Sequence, residues 1–351
     1  MINHDYIIIG GGLAGKTLAF YLRENGRQVV LVDENHSSTS SKIGAGIIHP
    51  VTGRRIVKTW MADTLIPFAK SFYTELEKNS GVKIFYPLPI LEIFNSAKSR
   101  NDWITRSSEQ GFEKYFSEEI KPEKFSGFFN CLFGGIMLNG TGYVDLPSYL
   151  ACLHGKLNSE GGIIEKTFLF DDLEVRDDFV LWNDIKASKI IFCEGYSCVS
   201  NPFFKHIPFL PAKGEILKIF CEGLPESFIL NHGMFVLPLG NHLFKSGSTY
   251  EWNFENTDTS TEGKNKIIKF LDDLLKVKYE IVSHESAVRP TIQDRRPVIG
   301  LHPKYNSTGI FNGLGTKGAL LAPYFAKQFA DFLCGSGNID EEVNVSRFNL
   351  H

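Results

Sequence analysis

Residues 5–33 read DYIIIGGGLAGKTLAFYLRENGRQVVLVD. The apolar run at residues 6–9 predicts a buried strand, and the periodic apolar residues after it predict a helix over residues 14–25. A second apolar run, at residues 28–32, predicts another strand. This order of elements is a β-α-β unit. Gly10, Gly12 and Gly15 fit the pattern G-x-G-x-x-G in the strand-to-helix context that gives the pattern its meaning.

Each glycine of this pattern has a physical purpose. Gly10 permits a tight turn, Gly12 lets the backbone approach a pyrophosphate, and Gly15 lets the helix pack closely on the strand. The start of the helix, at Leu13 and Ala14, presents unpaired N–H groups and a positive dipole end to phosphates. The segment therefore predicts a dinucleotide-binding unit.

An acidic residue at the end of the second predicted strand refines this prediction. Asp33 stands where a carboxylate accepts hydrogen bonds from the adenosine ribose hydroxyls, and Glu34 is the alternate candidate. Because an acid at this point disfavours a 2′-phosphate, the resident nucleotide is not expected to be NADP.

A second glycine-rich loop, near the C-terminus, favours FAD over NAD. It precedes a predicted helix over residues 319–334 and so forms another glycine-lined helix N-terminus. A flavin ring needs such a positive, donor-rich site at its N1/O2 edge, because reduction places negative charge there. The alternative is an ordinary strand-to-helix turn. The loop residues assigned to the cofactor are Gly313, Gly315, Thr316, Lys317, Gly318 and Ala319.

The pattern along the chain predicts an α/β fold in two domains. A Rossmann-like domain with a parallel central sheet is expected from residues 1–81, 146–205 and 286–351. Short aromatic-rich strands and turns at residues 82–145 and 206–285 predict an inserted α+β substrate domain with a mixed or antiparallel sheet.

The composition excludes several classes of protein. The chain has 351 residues, is 43% hydrophobic and carries a formal net charge of -3, which argues against a dominant nucleic-acid or membrane partner. Its six cysteines form no C-x-x-C pair and have no zinc-ligand spacing, so free thiols, no metal and a cytoplasmic location are expected. The oligomeric state stays open.

These segments together resemble the D-amino-acid oxidase and glycine oxidase family of FAD-dependent oxidoreductases. The resemblance covers residues 5–33, 40–46, 190–195, 287–300 and 313–323. The first segment is common to many flavoproteins, whereas the last two in combination are more specific.

The resemblance implies roles for particular residues. Arg289, in an Arg-Pro pair, would anchor the substrate carboxylate in bidentate fashion, and Tyr250 would assist it. His49 and Lys317 are candidates for positions near the flavin ring. The alternatives are a structural ion pair for Arg289, simple packing for Tyr250 and a turn cap for His49. The other implied cofactor-binding residues are Ser41, Lys42, Gly46, Phe168, Glu194 and Gly195.

The family resemblance also implies a mode of cofactor binding and a reaction. Sarcosine-oxidase relatives attach FAD through a cysteine just beyond the Arg-containing stretch. This chain has no cysteine between Arg289 and Cys334, which implies non-covalent FAD. The implied reaction is oxidation of the C–N bond of a small amino acid or N-substituted glycine by hydride transfer to flavin N5.

Two alternatives to this reaction stay open. Residues 47–50 and 313–323 resemble the FAD domain of bifunctional enzymes that complete methylaminomethyl-uridine in tRNA, so a carboxymethylaminomethyl group on a tRNA wobble uridine is an alternative substrate. No methyltransferase domain accompanies it in these 351 residues, and the chain is not basic. The other alternative is a flavin-binding protein without turnover.

Overall fold

The computed structural model describes residues 2–36, 38–52, 55–159 and 161–348. Its strands are β1 (Ile2–Ile9), β2 (Val29–Asp33), β3 (Ile47–Ile48), β4 (Val51–Thr52), β5 (Val57–Lys58), β6 (Phe85–Tyr86), β7 (Ile90–Ile93), β8 (Phe116–Ile120), β9 (Gly135–Leu138), β10 (Gly142–Val144), β11 (Ile163–Glu165), β12 (Leu173–Val175), β13 (Val180–Trp182), β14 (Ile185–Phe192), β15 (Ala212–Phe220), β16 (Ile229–His232), β17 (Met234–Gly240), β18 (Leu243–Gly247), β19 (Glu280–Arg289), β20 (Val298–Leu301) and β21 (Thr308–Asn312). Its α-helices are α1 (Leu13–Glu24), α2 (Ser40–Ile43), α3 (Ala62–Ser80), α4 (Ala97–Ser107), α5 (Leu146–Asn158), α6 (Thr261–Leu274) and α7 (Gly318–Leu333).

The central sheet has a parallel core in the order β11-β2-β1-β14, and β21 continues it beside the end of β14. Antiparallel strands extend it, with β13 and β12 beside the start of β14 and β20 beside β21. Both faces are covered: Ile8 packs with the helices α1 and α7, whereas Ile7 packs in a separate cluster with Trp182 and Phe192. Burial on both faces explains why these strands are apolar throughout rather than alternating.

The second sheet has the order β19-β15-β18-β17-β16-β7-β9-β8 and is antiparallel except for the pair β16–β7. Helix α6 covers one face, where Ile267 and Leu271 pack with Leu217, Ile219 and Phe244. The expected fold class, a parallel-containing sheet with a mostly antiparallel second sheet, is therefore confirmed.

Some sequence-based boundaries differ from the structure. The apolar pattern of residues 163–170 predicts one strand. This prediction is wrong beyond residue 165, because the chain leaves the sheet after β11 and makes a short 3-10 turn at Phe170–Asp172. The domain boundaries at residues 82, 146, 206 and 286 stay a prediction. Strand β19 runs across the last of them, and its final residue, Arg289, still pairs with Ala212 in the second sheet.

Two further observations concern the class of protein. All six cysteines are free thiols. Within the described ranges, no helix combines the length and apolar character needed to cross a membrane.

Candidate functional site

A cleft of about 940 Å³ is lined by residues at the carboxyl ends of β1, β2, β14 and β21 and by residues of the second sheet. The carboxyl edge of a parallel sheet is where ligands bind in open α/β folds. Most of the predicted site residues meet in this cleft: Gly10, Gly12, Leu13, Ala14, Asp33, Glu34, Ser41, Gly46, His49, Phe168, Glu194, Gly195, Arg289, Gly315, Thr316, Lys317, Gly318 and Ala319.

Four predicted site residues do not line the cleft. Gly15 supports it from behind, since a Cβ there would lie 1.9 Å from the carbonyl oxygen of Gly10. Gly313 has a φ of +76°, and a Cβ there would lie 2.4 Å from Cδ1 of Ile292. These two glycines shape the two turns rather than face a ligand.

The other two are side chains directed elsewhere. The ammonium of Lys42 donates to Asn35 Oδ1 at 2.9 Å and to the carbonyl oxygen of His36 at 2.6 Å. Tyr250 is 47% exposed, and the centre of its ring lies 4.5 Å from Cζ of Arg289. Lys42 therefore holds a surface loop, whereas Tyr250 acts on the site only through Arg289.

The N-terminus of α1 faces the cleft, and its own N-cap residue provides no side chain to cap it. Gly12 is the N-cap residue and makes no capping hydrogen bond, and the backbone N–H of Leu13 donates to Ser41 Oγ at 3.1 Å. Gly10 turns the chain here with a φ of +101°, and a Cβ on it would lie 2.5 Å from the carbonyl oxygen of Cys193. Only glycine fits this turn, and the helix start that it exposes suits a pyrophosphate.

Asp33, rather than Glu34, is placed beside this turn. Its Oδ1 accepts a hydrogen bond from the backbone N–H of Gly11 at 2.9 Å. Glu34 instead pairs with His36 at 2.7 Å near the surface. The fixed carboxylate at the end of β2 suits the hydroxyls of a ribose.

Glu194, which follows β14, is a carboxyl group of unusual environment. It accepts a hydrogen bond from Asn201 Nδ2 at 2.7 Å, and burial raises its pKa to about 7. Desolvation disfavours the charged form of a carboxyl group, so much of Glu194 is protonated at neutral pH. The neutral form also repels a nearby phosphate less than a carboxylate does.

Lys317, the N-cap residue of α7, is a half-buried cation that lines the cleft. Its Nζ donates to Thr59 Oγ1 at 2.7 Å and to Thr52 Oγ1 at 3.3 Å. Burial lowers its pKa to about 8. Together with the uncapped N-terminus of α7, it makes this end of the cleft electropositive.

Arg289 is held by neutral groups. Its Nη2 donates to Ser248 Oγ at 2.6 Å and to the carbonyl oxygen of Thr249 at 3.2 Å, and Nη1 donates to that of Ala212 at 3.4 Å. Burial lowers its pKa from the ordinary value. Among the described residues no carboxylate pairs with it, which excludes the structural ion pair as its role.

A close backbone approach leaves room for this guanidinium. A Cβ on Gly214 would lie 2.0 Å from Nη2 of Arg289, so the guanidinium lies directly on the backbone of β15. Arg289 is half-buried, and a cation that is partly withdrawn from water without a counterion is stabilised when an anion joins it. The arrangement can therefore bind a carboxylate from the cleft.

The sequence did not point to Gly214, Ser248 or Glu92 as site residues. Gly214 and Ser248 position Arg289, and Glu92 positions His49. Gly214 carried a signal that could have been used, because a glycine inside a strand often marks a close approach. Ser248 and Glu92 carried none, since their partners are distant in sequence.

A protein-family model described as DAO, FAD dependent oxidoreductase, matches residues 5–332. The chain belongs to this family. Among the relatives of this DAO-family chain is glycine oxidase from Bacillus subtilis (strain 168), 23% identical over 370 residues that cover 97% of this chain and 95% of the relative. Another relative is the tRNA 5-methylaminomethyl-2-thiouridine biosynthesis bifunctional protein from Marinobacter nauticus, 22% identical over 93% of this chain but only 55% of the relative.

The DAO-family fold is also found in solved structures. Iminodiacetate oxidase from Chelativorans sp. BNC1 superposes with a TM-score of 0.81 at 20% identity, over 98% of each chain. At this identity the likeness establishes the fold alone, and the substrate has to be argued from the residues of the cleft.

Proposed function

We propose that this protein binds FAD non-covalently and oxidises the C–N bond of a small amino acid or N-substituted glycine by hydride transfer to flavin N5. The observation that carries the proposal is Arg289, a half-buried guanidinium in the cofactor cleft that has only neutral partners among the described residues. A planar guanidinium binds a carboxylate through two parallel hydrogen bonds, which fixes the orientation of the substrate.

The donor groups of the cleft fit FAD in its extended form. The uncapped start of α1 would hold the pyrophosphate, Asp33 the ribose and the start of α7 with Lys317 the flavin end. In the described part of the chain, Cys193 is the one cysteine on the cleft, and it follows β14 beside the Gly10 turn. Burial raises the pKa of its thiol, so it is a poor nucleophile, and this supports non-covalent binding.

In the proposed reaction, Arg289 and Lys317 have separate roles. Arg289 binds the carboxylate, and its bonds to Ser248 and Thr249 prevent the guanidinium from rotating. This orients the neighbouring C–N bond and supplies the proximity part of the rate enhancement. The bound FAD supplies the hydride acceptor. The Lys317 ammonium stabilises the negative charge that develops at that end of the cleft.

The charges that line the cleft favour a small substrate over tRNA. A nucleic-acid site needs an excess of Lys and Arg to neutralise phosphates. In this cleft three acidic residues stand against three Lys and Arg residues, so there is no such excess: Asp33, Glu34 and Glu194 against Lys166, Arg289 and Lys317. From the six free thiols we also infer a reducing, cytoplasmic location.

The test is an anaerobic screen of the purified holoprotein. Glycine, sarcosine, other N-alkyl glycines, iminodiacetate, proline and D-amino acids are added one at a time, and the absorbance of oxidised flavin is followed. One of them should bleach the flavin, and Arg289→Met should slow this by about 10²-fold or more while FAD stays bound.

Arg296→Ala is the matched control. Its guanidinium also lies over an aromatic ring, that of Trp60 at 4.1 Å, but it does not line the cleft. It should leave the bleaching rate unchanged. A flavin that stays yellow with every compound argues for the tRNA or the non-catalytic alternative, and wild-type rates in Arg289→Met contradict the role of Arg289.

A further inference from the structure

A histidine–carboxylate pair lies in the wall of the cleft. His49, between β3 and β4, lines the cleft, and its Nε2 lies 3.0 Å from Oε1 of Glu92. Glu92 belongs to β7 of the second sheet and is 8% exposed. The pair thus links the segment between β3 and β4 to the second sheet, which also carries Arg289.

Glu92 has no permanently cationic partner among the described residues. Its other hydrogen bond comes from Asn231 Nδ2, on the neighbouring strand β16, where Asn231 is the direct pairing partner of Glu92. A buried carboxylate without a cation is costly. Among the described residues that contact Glu92, the imidazole of His49 is the one group that can become a cation.

The hydrogen bond to Glu92 also fixes the state of the neutral ring. A carboxylate only accepts, so Nε2 carries the proton and Nδ1 carries the lone pair. Nδ1 of His49 is buried and has no hydrogen-bond partner in the part of the chain that the structure describes. An imidazole oriented by a carboxylate, with its other nitrogen free to accept, is the arrangement of a general base.

Charged groups of both signs lie around His49. Glu92 is in direct contact with the ring, and Lys317 stands at the start of α7. Lys317 is linked through Thr59, whose Oγ1 accepts from Lys317 Nζ at 2.7 Å and donates to the carbonyl oxygen of His49 at 2.8 Å. Arg289 is a further cation on the same cleft.

Oxidation of an amino acid needs a neutral nitrogen, because hydride can leave the adjacent carbon only when the nitrogen lone pair is available. Amino acids in neutral water are mostly ammonium ions. We propose that His49, held by Glu92, accepts the ammonium proton of the substrate before hydride transfer. This inference rests on the proposed function.

In this step one N–H bond of the substrate breaks and an Nδ1–H bond forms on His49. The electron pair stays on the substrate nitrogen, so nothing is oxidised or reduced. The proton then passes from the imidazolium to water in the cleft. Glu92 touches no reacting atom and is a positioning residue.

The test is the pH dependence of anaerobic flavin reduction with the substrate found in the screen. The wild-type rate should persist below the pKa of the substrate amine. In His49→Gln it should fall about 10²-fold or more near pH 7 and recover to within about threefold of wild type near pH 10, where the amine is already neutral. Glu92→Gln, which keeps the shape but loses the charge, should lose about tenfold or more near pH 7 with the same recovery.

His232→Gln is the matched control. His232 lies next to Asn231 on β16, hydrogen-bonds to the carbonyl oxygen of Ile93 at 3.2 Å and does not line the cleft. It should keep the wild-type profile. Acetate, which has a carboxylate and no amine, should bind equally to all of these variants, which reports an intact Arg289 site.

A direct readout is the ring tautomer of His49 in the free holoprotein, measured by nitrogen-15 NMR. The Nε2–H tautomer supports the proposal, and the Nδ1–H tautomer overturns it. A loss of rate in His49→Gln that is equal at every pH, or no loss, also overturns it. Failure of the proposed function is different, since then no amine bleaches the wild-type flavin at any pH.

Discussion

Substitution of Gly214 by alanine should disable the carboxylate site without unfolding the protein. The added Cβ would lie 2.0 Å from Nη2 of Arg289 and 2.4 Å from its Cζ. An ordinary contact is about 3.5 Å, so the guanidinium must retreat by about 1.5 Å. The clash involves the far end of a flexible side chain, and Gly214 is not among the residues with positive φ. The backbone therefore accepts alanine, and the strain is relieved by movement of Arg289.

The magnitude follows from what this movement breaks. The hydrogen bond from Nη2 to Ser248 Oγ is 2.6 Å long and is lost when the guanidinium retreats. A charge-assisted hydrogen bond contributes about 1.5–3 kcal/mol. Acetate should therefore bind to Gly214→Ala about 10- to 150-fold more weakly, since each 1.4 kcal/mol is about tenfold. The rate of flavin reduction should fall by about 10²-fold, because misplacement by about 1 Å costs that much.

The assay is a titration of the holoprotein with acetate, followed by the change in the flavin spectrum, together with the thermal midpoint. Gly155→Ala is the control, since a Cβ at this position of α5 meets no atom within 4 Å. The reasoning is refuted if acetate affinity does not change in Gly214→Ala. It is also refuted if the substitution weakens acetate binding by the same factor when Arg289 is already methionine, because two residues that act through one contact are not additive.

Three other predictions concern charged residues that line the cleft. Asp33→Ala should weaken FAD binding by about 10- to 150-fold, because about 1.5–3 kcal/mol of hydrogen bonding to the ribose is lost. The affinity is measured by fluorescence titration of the apoprotein with FAD, and Glu34→Gln should leave it unchanged. Lys317→Met should lower the two-electron midpoint potential of the bound flavin by about 30–65 mV, which corresponds to about 1.5–3 kcal/mol. Because the pKa of Lys317 is about 8, the difference in potential between the variant and the wild type should shrink above that pH. Equal potentials below pH 8 would contradict the role assigned to Lys317. Burial raises the pKa of Glu194 from 4.5 to about 7, so the folded apoprotein favours the protonated carboxyl. The contribution of Glu194 to the free energy of unfolding is therefore complete below pH 4.5 and is lost as the pH rises through about 7. The raised pKa corresponds to a change in the free energy of unfolding of at most about 3 kcal/mol, and roughly half of that after screening by water in the cleft. In urea unfolding, the stability of Glu194→Gln should therefore depend less on pH between 4.5 and about 7 than that of the wild type.

The sequence by itself determined the local parts of the cofactor site. The β1 turn, helix α1 and Asp33 are consecutive, and the tight turn, the helix start and the strand end are local properties that glycine spacing and apolar runs encode directly. The same holds for the loop before α7. The sequence also predicted which segments belong to each of the two sheets. Strands that are buried on both faces and strands that are buried on one face have different patterns of apolar residues.

Only the tertiary structure decided which side chains meet at the candidate substrate site. Lys42 and Tyr250 were assigned by their positions in motifs, but the fold directs one to a surface loop and places the other beneath Arg289. The state of Arg289 depends on Gly214, 75 positions earlier, and that of His49 on Glu92, 43 positions later. Such contacts depend on the order and register of strands in the second sheet, which no local pattern in the sequence encodes, because register is set by packing across the whole sheet.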